Sequence, residues 1–315
     1  MPHYRMPDGE QLYVREYGQG QPVLVLSGLG MQSWQWHPFL YRFRRDFKFI
    51  IPDWRGFGGS SQCRIPQLDA ISSHWRDIDC LLGQLLAHDK FSLIAYSMGA
   101  TAAMHGMQYG NFAAKIHSYL HIDQSPKISA DASWPFGLLG GQHAAFLQQL
   151  QRISALLARH PQLTQLQQLN LQERHQLLEA WLAFIRLQTR SRSFTPFFFQ
   201  QALKQPRLHR HLLPMQRLDY FAWYVNSYLH HREDYRQAIC QLDCPATFFI
   251  GEQSRLYPAE GQKIIAGSAA QSTAVLFKKS GHAPLLSEPL KFSREIGRFL
   301  KRSLKSAAVP IIQNL

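Results

Sequence analysis

Short apolar runs alternate with amphipathic segments along most of the chain, and this alternation predicts a series of strands and helices. The predicted strands lie near 10–17, 22–27, 47–52, 91–96, 116–122, 245–250 and 273–278. In one intervening segment the apolar residues recur at helical spacing, as Ile71, Trp75, Ile78, Leu82 and Leu85. Strands that alternate with helices favour an α/β fold with a mostly parallel central sheet and helices on both faces.

The alternation is interrupted in the middle of the chain. From roughly Asp131 to Ile239 the strand pattern disappears and apolar residues recur at helical spacing instead. The clearest stripes are Phe146, Leu150, Ile153 and Leu157, then Leu178, Trp181, Leu182 and Ile185, then Leu218, Phe221, Val225 and Leu229. The pattern therefore predicts a core formed by residues 1–130 and 240–315, with a helical insertion at 131–239.

A serine lies where a predicted strand gives way to a helix of small residues. The segment Ala95-Tyr96-Ser97-Met98-Gly99 follows the apolar run that ends near residue 96. A sharp turn between strand and helix needs small residues around the serine, because the two elements approach each other closely. The pentapeptide thus fits a nucleophile elbow, with Ala95 at the first glycine position, although an ordinary turn can carry the same pattern.

Three more motifs follow predicted strands and favour the elbow. They are Ser27-Gly28-Leu29-Gly30, Asp53-Trp54-Arg55-Gly56-Phe57-Gly58-Gly59-Ser60, and Ser280-Gly281-His282. In this order the four motifs resemble the α/β-hydrolase superfamily, over nearly the whole chain apart from about 130–240. The resemblance implies an α/β-hydrolase fold with a helical cap over the active site, and chemistry that uses neither a metal nor a cofactor.

The resemblance also implies roles for individual residues. A serine hydroxyl needs a base within hydrogen-bond reach to act as a nucleophile. The resemblance implies that Ser97 is the nucleophile and that His282 is the base. Backbone N–H groups of Leu29 and Met98 would form the oxyanion hole. Ser27 stands where the common pattern has histidine, which leaves the support of that loop open.

The third member of a catalytic triad departs from the common pattern. Ser254 stands where an aspartate usually follows the seventh strand. Asp123 directly follows the strand predicted at 116–122, which corresponds to the sixth strand in the superfamily's numbering. Some members of the superfamily carry the acid there, and we expect Asp123 to orient His282. Glu252 is the alternative acid. A structural role for Asp123, as a cap on the turn into Ser125-Pro126, is the competing interpretation.

These residues predict a serine hydrolase that cleaves an ester, thioester or lactone of a hydrophobic small molecule through an acyl-enzyme at Ser97. Trp34, Phe198 and Trp223 are the expected substrate-binding residues, unless such aromatic residues only hold the cap together. An alternative is a cofactor-independent oxygenase or carbon–carbon bond-cleaving enzyme, because aromatic heterocycle dioxygenases of this superfamily also place the acid after the sixth strand. A non-catalytic ligand binder on the same fold is a third hypothesis.

The chain is strongly basic, with 34 Lys and Arg against 21 Asp and Glu and a formal net charge of +13. Basic residues cluster near 42–48, between 186 and 217, and along the last predicted helix. No nucleic-acid-binding motif surrounds them, so we expect no nucleic-acid partner. A solvated basic surface and attraction to an anionic membrane or an acidic substrate both stay open, as does the oligomeric state.

The amino-terminal segment lacks the apolar stretch of a signal peptide, and no run approaches the ~20 apolar residues of a membrane span. We therefore expect a cytoplasmic protein. The four cysteines show no metal-binding spacing and are expected to be reduced thiols.

Overall fold

The computed structural model describes residues 2–86, 90–188, 195–213, 215 and 217–307. In these residues eight strands form one sheet, in the order β1-β2-β4-β3-β5-β6-β7-β8. The strands are β1 His3–Arg5, β2 Gln11–Tyr17, β3 Gln21–Leu26, β4 Phe47–Pro52, β5 Phe91–Tyr96, β6 Ile116–Ile122, β7 Ala246–Gly251 and β8 Ser272–Phe277. Strands β3 to β8 are parallel, whereas β1 and β2 form an antiparallel edge.

Helices cover the sheet and fill the long segment between β6 and β7. Those in the described residues are α1 His37–Leu40, α2 Ala70–Leu85, α3 Met98–Tyr109, α4 Phe112–Lys115, α5 His143–Ala158, α6 Leu171–Gln188, α7 Thr195–Leu203, α8 Leu218–His230, α9 Arg236–Cys240, α10 Ala259–Ser268, α11 Pro284–Ser287 and α12 Pro289–Ala307. The predicted α/β fold with a mostly parallel sheet is confirmed. The sequence pattern missed β1, because this short edge strand consists of polar and aromatic residues without an apolar run.

Both faces of the central strands are buried, and alternate side chains point to opposite layers. In β5, Leu93 and Ala95 pack in the layer of α2 and α3, whereas Ile94 and Tyr96 pack in the layer of α1 and α12. Side chains alternate along a strand, so a strand covered on both faces needs apolar residues at every position. This requirement explains the continuous apolar runs of the central strands.

Four helices, α5 to α8, lie in the predicted insertion, and we call them the cap helices. The predicted stripe of α5 is buried, from Phe146 to Leu157, and α5 packs against α6 and α8. The cap is joined to the core by hydrogen bonds from α8: Trp223 Nε1 donates to Leu68 O at 2.8 Å, and Tyr224 Oη donates to Arg55 O at 3.1 Å. The division of the chain at 131 and 239 stays a prediction.

None of the helices in the described part of the chain is both long enough and apolar enough to cross a membrane. The four cysteines, Cys63, Cys80, Cys240 and Cys244, are free thiols in the structure.

The close approach of α3 to β3 gives a test of the fold. A Cβ on Gly99 would lie 2.3 Å from the backbone oxygen of Leu26, whereas a Cβ on Gly83 would meet no atom within 4 Å. We expect Gly99→Ala to lower the free energy of unfolding by about 1–3 kcal/mol, because backbone must move to relieve the overlap. Gly83→Ala is the matched control and should raise it by up to ~1 kcal/mol through helix propensity. Urea denaturation measures both, and equal effects would contradict this account of the packing.

Candidate active site

Ser97 occupies a strained turn between β5 and α3. Its backbone has φ 51° and ψ −124°, a conformation that is costly for a residue with a side chain. The turn is held because the Ser97 N–H donates to Ile122 O at 3.1 Å, while Ser97 O accepts the N–H of Ala100 at 2.8 Å. Space beside the serine is tight, since a Cβ on Gly28 would lie 3.2 Å from the Ser97 Cβ. The geometry therefore presents the hydroxyl beyond the carboxyl end of the sheet.

The structure brings Ser97, His282 and Asp123 together in one hydrogen-bonded row. His282 Nε2 lies 2.8 Å from Ser97 Oγ, and His282 Nδ1 lies 2.9 Å from Asp123 Oδ1. Asp123 is fully buried, and Ser97 is 9% exposed. The order nucleophile, imidazole and carboxylate is the one in which the carboxylate holds the imidazole in the tautomer that can accept the serine proton.

Two tyrosines hold the His282 ring in place. The Tyr96 ring stacks on it with centroids 5.3 Å apart, and the Tyr96 hydroxyl donates to His282 O at 3.1 Å. Tyr257 contacts the ring from a second direction, at 5.6 Å between centroids. Burial raises the pKa of Tyr96 well above its usual value, and the negative charge of Asp123 adds to the shift. Burial likewise raises the pKa of Tyr257, so both phenols keep their protons at neutral pH.

Asp123 receives two hydrogen bonds besides its contact with His282. The Gly251 N–H donates to Oδ2 at 2.8 Å, and the Ser254 hydroxyl donates to Oδ1 at 2.7 Å. Ser254 is the residue that stands in place of the usual aspartate, so its side chain reaches the same carboxylate that contacts His282. No signal in the sequence identified this partnership. These contacts supply hydrogen-bond partners to a buried carboxylate, which would otherwise be costly to bury.

Neither alternative role found at the sequence level matches these contacts. The turn into Ser125 is capped by Gln124, whose Oε1 accepts the Ser125 N–H at 2.7 Å. Glu252 is half-buried and its N–H donates to Phe277 O at 3.1 Å, while the carboxylate beside His282 is that of Asp123.

The oxyanion contacts expected from Leu29 and Met98 stay a prediction, and the structure shows where the two residues lie. Met98 is the first residue of α3, where backbone N–H groups have no partner within the helix. Leu29 lies on the loop after β3 and lines the cavity next to Gly28.

Two tryptophans support the loop that carries Leu29. The sequence left the support of this loop open, because Ser27 stands where the common pattern has histidine. Trp36 Nε1 donates to Ser27 Oγ at 3.0 Å, and Trp54 Nε1 donates to Ser27 O at 2.7 Å. Both indoles are buried. Ser27 therefore fixes the loop by accepting hydrogen bonds from two buried indoles. Neither contact has a signal in the sequence.

A cavity of about 340 Å³ opens above Ser97 and His282, and its walls are mostly apolar. The cap helices supply Phe146, Leu150, Trp181, Phe184, Ile185, Phe221, Tyr224, Val225 and Tyr228 to its lining. Several of these residues belong to the helical stripes read from the sequence, so the amphipathic pattern was the signal that could have identified them. Apolar walls with a few polar groups at one end are typical of a pocket for a small hydrophobic ligand.

The three residues expected to bind substrate, Trp34, Phe198 and Trp223, do not line this cavity, and a role for them in substrate binding stays a prediction. Trp34 is 55% exposed and its Nε1 donates to Gln32 Oε1. Phe198 is 66% exposed and packs edge-on against Phe197. Trp223 does not line the cavity, and its Nε1 donates to Leu68 O. The cavity instead receives the α8 residues at positions 221, 224, 225 and 228, which share one helix face. Phe194 precedes Phe197 and Phe198 in the sequence and was a further candidate for the pocket, but it lies outside the described residues.

The described residues contain no cluster of three or more His, Cys, Asp or Glu side chains arranged to hold a metal ion. Beneath the site, burial lowers the pKa of His121 to about 4, and this histidine contacts Gln124 O and the Tyr119 hydroxyl. It is therefore neutral and structural at physiological pH.

Comparison with known proteins agrees with this geometry. The family model described as the alpha/beta hydrolase family matches residues 23–295. The chain belongs to the alpha/beta hydrolase family. A pimeloyl-[acyl-carrier protein] methyl ester esterase of Legionella pneumophila strain Corby is 24% identical, over 92% of this chain and 99% of the relative. A protein of the same name from Vibrio vulnificus strain YJ016 is 22% identical, over 91% of this chain and 97% of its own.

Solved structures share the fold. A thermophilic esterase from Thermogutta terrifontis superimposes with a TM-score of 0.68 at 18% identity, covering 96% of this chain and 99% of the esterase. An esterase from Exiguobacterium antarcticum gives a TM-score of 0.66 at 18% identity, covering 95% and 99% of the two chains. At this level of identity the likeness concerns the fold, and the argument for function returns to the site.

Proposed function

We propose that the protein is a carboxylic ester hydrolase that forms an acyl-enzyme at Ser97. The observation that carries the proposal is the row from Ser97 Oγ through His282 to Asp123, with separations of 2.8 and 2.9 Å, at the end of an apolar cavity. A nucleophile, an oriented base and a carboxylate in this order make up the machinery of acyl transfer.

In the first half of the proposed reaction, Ser97 Oγ attacks the ester carbonyl carbon and His282 Nε2 takes the hydroxyl proton. Asp123 stabilises the imidazolium that forms, and the N–H groups of Leu29 and Met98 stabilise the oxyanion. The tetrahedral intermediate collapses as His282 returns the proton to the departing alcohol. Water then attacks the acyl-enzyme, His282 takes its proton, and collapse of the second intermediate releases the acid and restores Ser97.

For the substrate we propose an ester with an apolar acyl chain that lies in the cavity between the cap helices and Ser97. The aromatic and aliphatic walls favour such a chain and offer little to a strongly polar one. Relatives that align over nearly their whole length are named methyl ester esterases acting on an acyl group of an acyl-carrier protein. A methyl ester at the end of a long acyl chain is therefore the first substrate to test.

The sequence-based alternative of an oxygenase has less support from the contacts. In the sequence, Trp34, Trp36 and His37 lie near the expected oxyanion loop and leave this alternative open. Trp36 is engaged with Ser27, His37 packs against Tyr41, and Trp34 is largely exposed, so none of the three contributes to the cavity lining.

Loss of the serine hydroxyl tests the proposed nucleophile. We expect Ser97→Ala to reduce kcat for short p-nitrophenyl esters by about 10⁴-fold or more, because only binding and oxyanion contacts remain. A fluorophosphonate should label the wild type at Ser97 and leave the variant unlabelled, as shown by mass spectrometry of the peptides. Undiminished turnover by the variant would overturn the proposal, and oxygen uptake with a hydroxyquinolone would then support the oxygenase.

Removing the charge of each candidate acid should change kcat by different amounts. Asp123→Asn should preserve the fold and lower kcat by ~10⁴-fold, because the neutral amide can neither hold the required tautomer of His282 nor stabilise the imidazolium. Glu252→Gln, a charge-removing control at the first residue after β7, should lower kcat less than threefold. Circular dichroism checks that both variants fold. A reversed ranking of their kcat values would assign the acid to Glu252.

The cavity walls predict which aromatic residue controls specificity. Phe184 lines the cavity, whereas Phe198 is exposed outside it. Phe184→Ala should change the relative kcat/KM values across a series of acyl chain lengths by ~1–3 kcal/mol, the usual range for apolar pocket contacts. Phe198→Ala is the matched control and should leave the relative values unchanged. A shift in Phe198→Ala equal to that in Phe184→Ala would contradict the assignment of the cavity.

A further inference from the structure

Two leucines project from the corner between α11 and α12. Leu290 is 88% exposed and Leu286 is 77% exposed, the highest values among the large hydrophobic residues of the described chain. A single exposed leucine is ordinary on a protein surface. Two at the same corner, four positions apart and directly after the His282 loop, form an apolar projection that the proposed chemistry does not use.

The backbone holds this projection rigidly. The Leu286 N–H donates to Ala283 O at 3.0 Å, and the Phe292 N–H donates to Glu288 O at 2.9 Å. The neighbouring residues Leu285 and Phe292 are buried in the core. The segment thus carries apolar side chains on both of its sides. Leu285 and Phe292 face the core, whereas Leu286 and Leu290 face the solvent.

Basic residues surround the two leucines. Lys278 and Lys279 are exposed at the end of β8, and Arg294 is exposed one helical turn after Leu290. Lys291 donates to Leu276 O, which places its cation beside the same strand end. We call Leu286, Leu290, Lys278, Lys279, Lys291 and Arg294 the leucine corner.

The nearby carboxylates are occupied by internal contacts. Glu288 accepts the Lys279 N–H and the Ser280 hydroxyl, both at 2.9 Å. The side chain of Glu295 is 7% exposed and contacts Arg294 and Arg298 at 3.4 and 2.8 Å. Two carboxylates thus stand against the four basic residues of the corner, which leaves an excess of positive charge beside the two leucines.

We propose that the leucine corner docks the protein on an anionic lipid bilayer. Leu286 and Leu290 would insert at the level of the headgroups, while the lysines and Arg294 would contact lipid phosphates, the usual division between apolar anchor and basic flank at a membrane surface. A bilayer accepts rigid projecting leucines without a matching pocket. Docking at this corner goes beyond ester hydrolysis and does not depend on it.

Vesicle sedimentation tests the proposal with the full-length protein. The wild type should sediment with phosphatidylcholine vesicles that contain phosphatidylglycerol and should not sediment with phosphatidylcholine alone. Binding should weaken steeply between 20 and 200 mM salt, because the attraction between surface charges is screened. The double variant Leu286→Ser/Leu290→Ser should reduce the partition coefficient about tenfold or more, and Lys278→Gln/Lys279→Gln should reduce it about tenfold.

Matched variants elsewhere on the surface serve as controls. Leu171→Ser removes a leucine that is 56% exposed on α6, and Arg152→Gln/Arg159→Gln removes two exposed cap charges; both should bind vesicles nearly as the wild type does. Absence of wild-type binding at low salt, or equal losses in the controls, would overturn the proposal. Binding of an acidic acyl carrier protein through the corner, without vesicle binding, would replace it by a protein partner. Hydrolysis of a soluble ester, measured on every variant, keeps this result separate from the proposed function.

Discussion

The close packing of β3 against the first turn of α3 is the constraint on which the site depends. The backbone oxygen of Leu26 occupies the space that any side chain at residue 99 would need, and the Ser97 backbone takes a positive φ to make the turn. The turn is stabilised because the Ser97 N–H donates a hydrogen bond to Ile122 O, at the end of β6. The same hydrogen bond places Asp123, the next residue after β6, beside the loop that carries His282. Strain at one residue is thus supported by the sheet, which over-determines the conformation.

Asp123, at the end of β6, is held by the loop after β7. In the common pattern of the superfamily that loop carries the acid, but here Ser254 stands in its place. Gly251 and Ser254, both at or after the end of β7, donate hydrogen bonds to Asp123. A Cβ on Gly251 would lie 2.1 Å from Gly281 O and 2.9 Å from Asp123 Oδ2, so this position keeps the two loops and the carboxylate in contact. Because adjacent parallel strands end at the same edge of a sheet, an acid can stand after either strand and still reach the histidine.

The cap helices separate the chemistry of the site from its selectivity. Ser97, His282 and Asp123 follow strands of the core, whereas half of the residues that line the cavity come from helices α5, α6 and α8. The wall can therefore change without disturbing the hydrogen-bonded row. The leucine corner belongs to the core side, since it follows the His282 loop directly, so a docked protein would bring the side of the molecule that carries this loop near the bilayer.

The pattern of residues along the chain was enough to predict the parallel strands and the elbow at Ser97, because both depend on residues that are neighbours in the chain. The roles expected of His282 and Asp123 came from the resemblance of their motifs to those of a known family. Apolar runs specify buried strands, and a strand end followed by a short polar motif specifies where its side chains converge. Tertiary structure alone decided which residues line the cavity, since the choice between Trp223 and Tyr224 depends on how α8 is rotated against the core. It also decided that Trp36 and Trp54 support Ser27, and that Ser254 donates to Asp123. These contacts join residues that are distant in sequence, and only packing of the whole chain brings such pairs together.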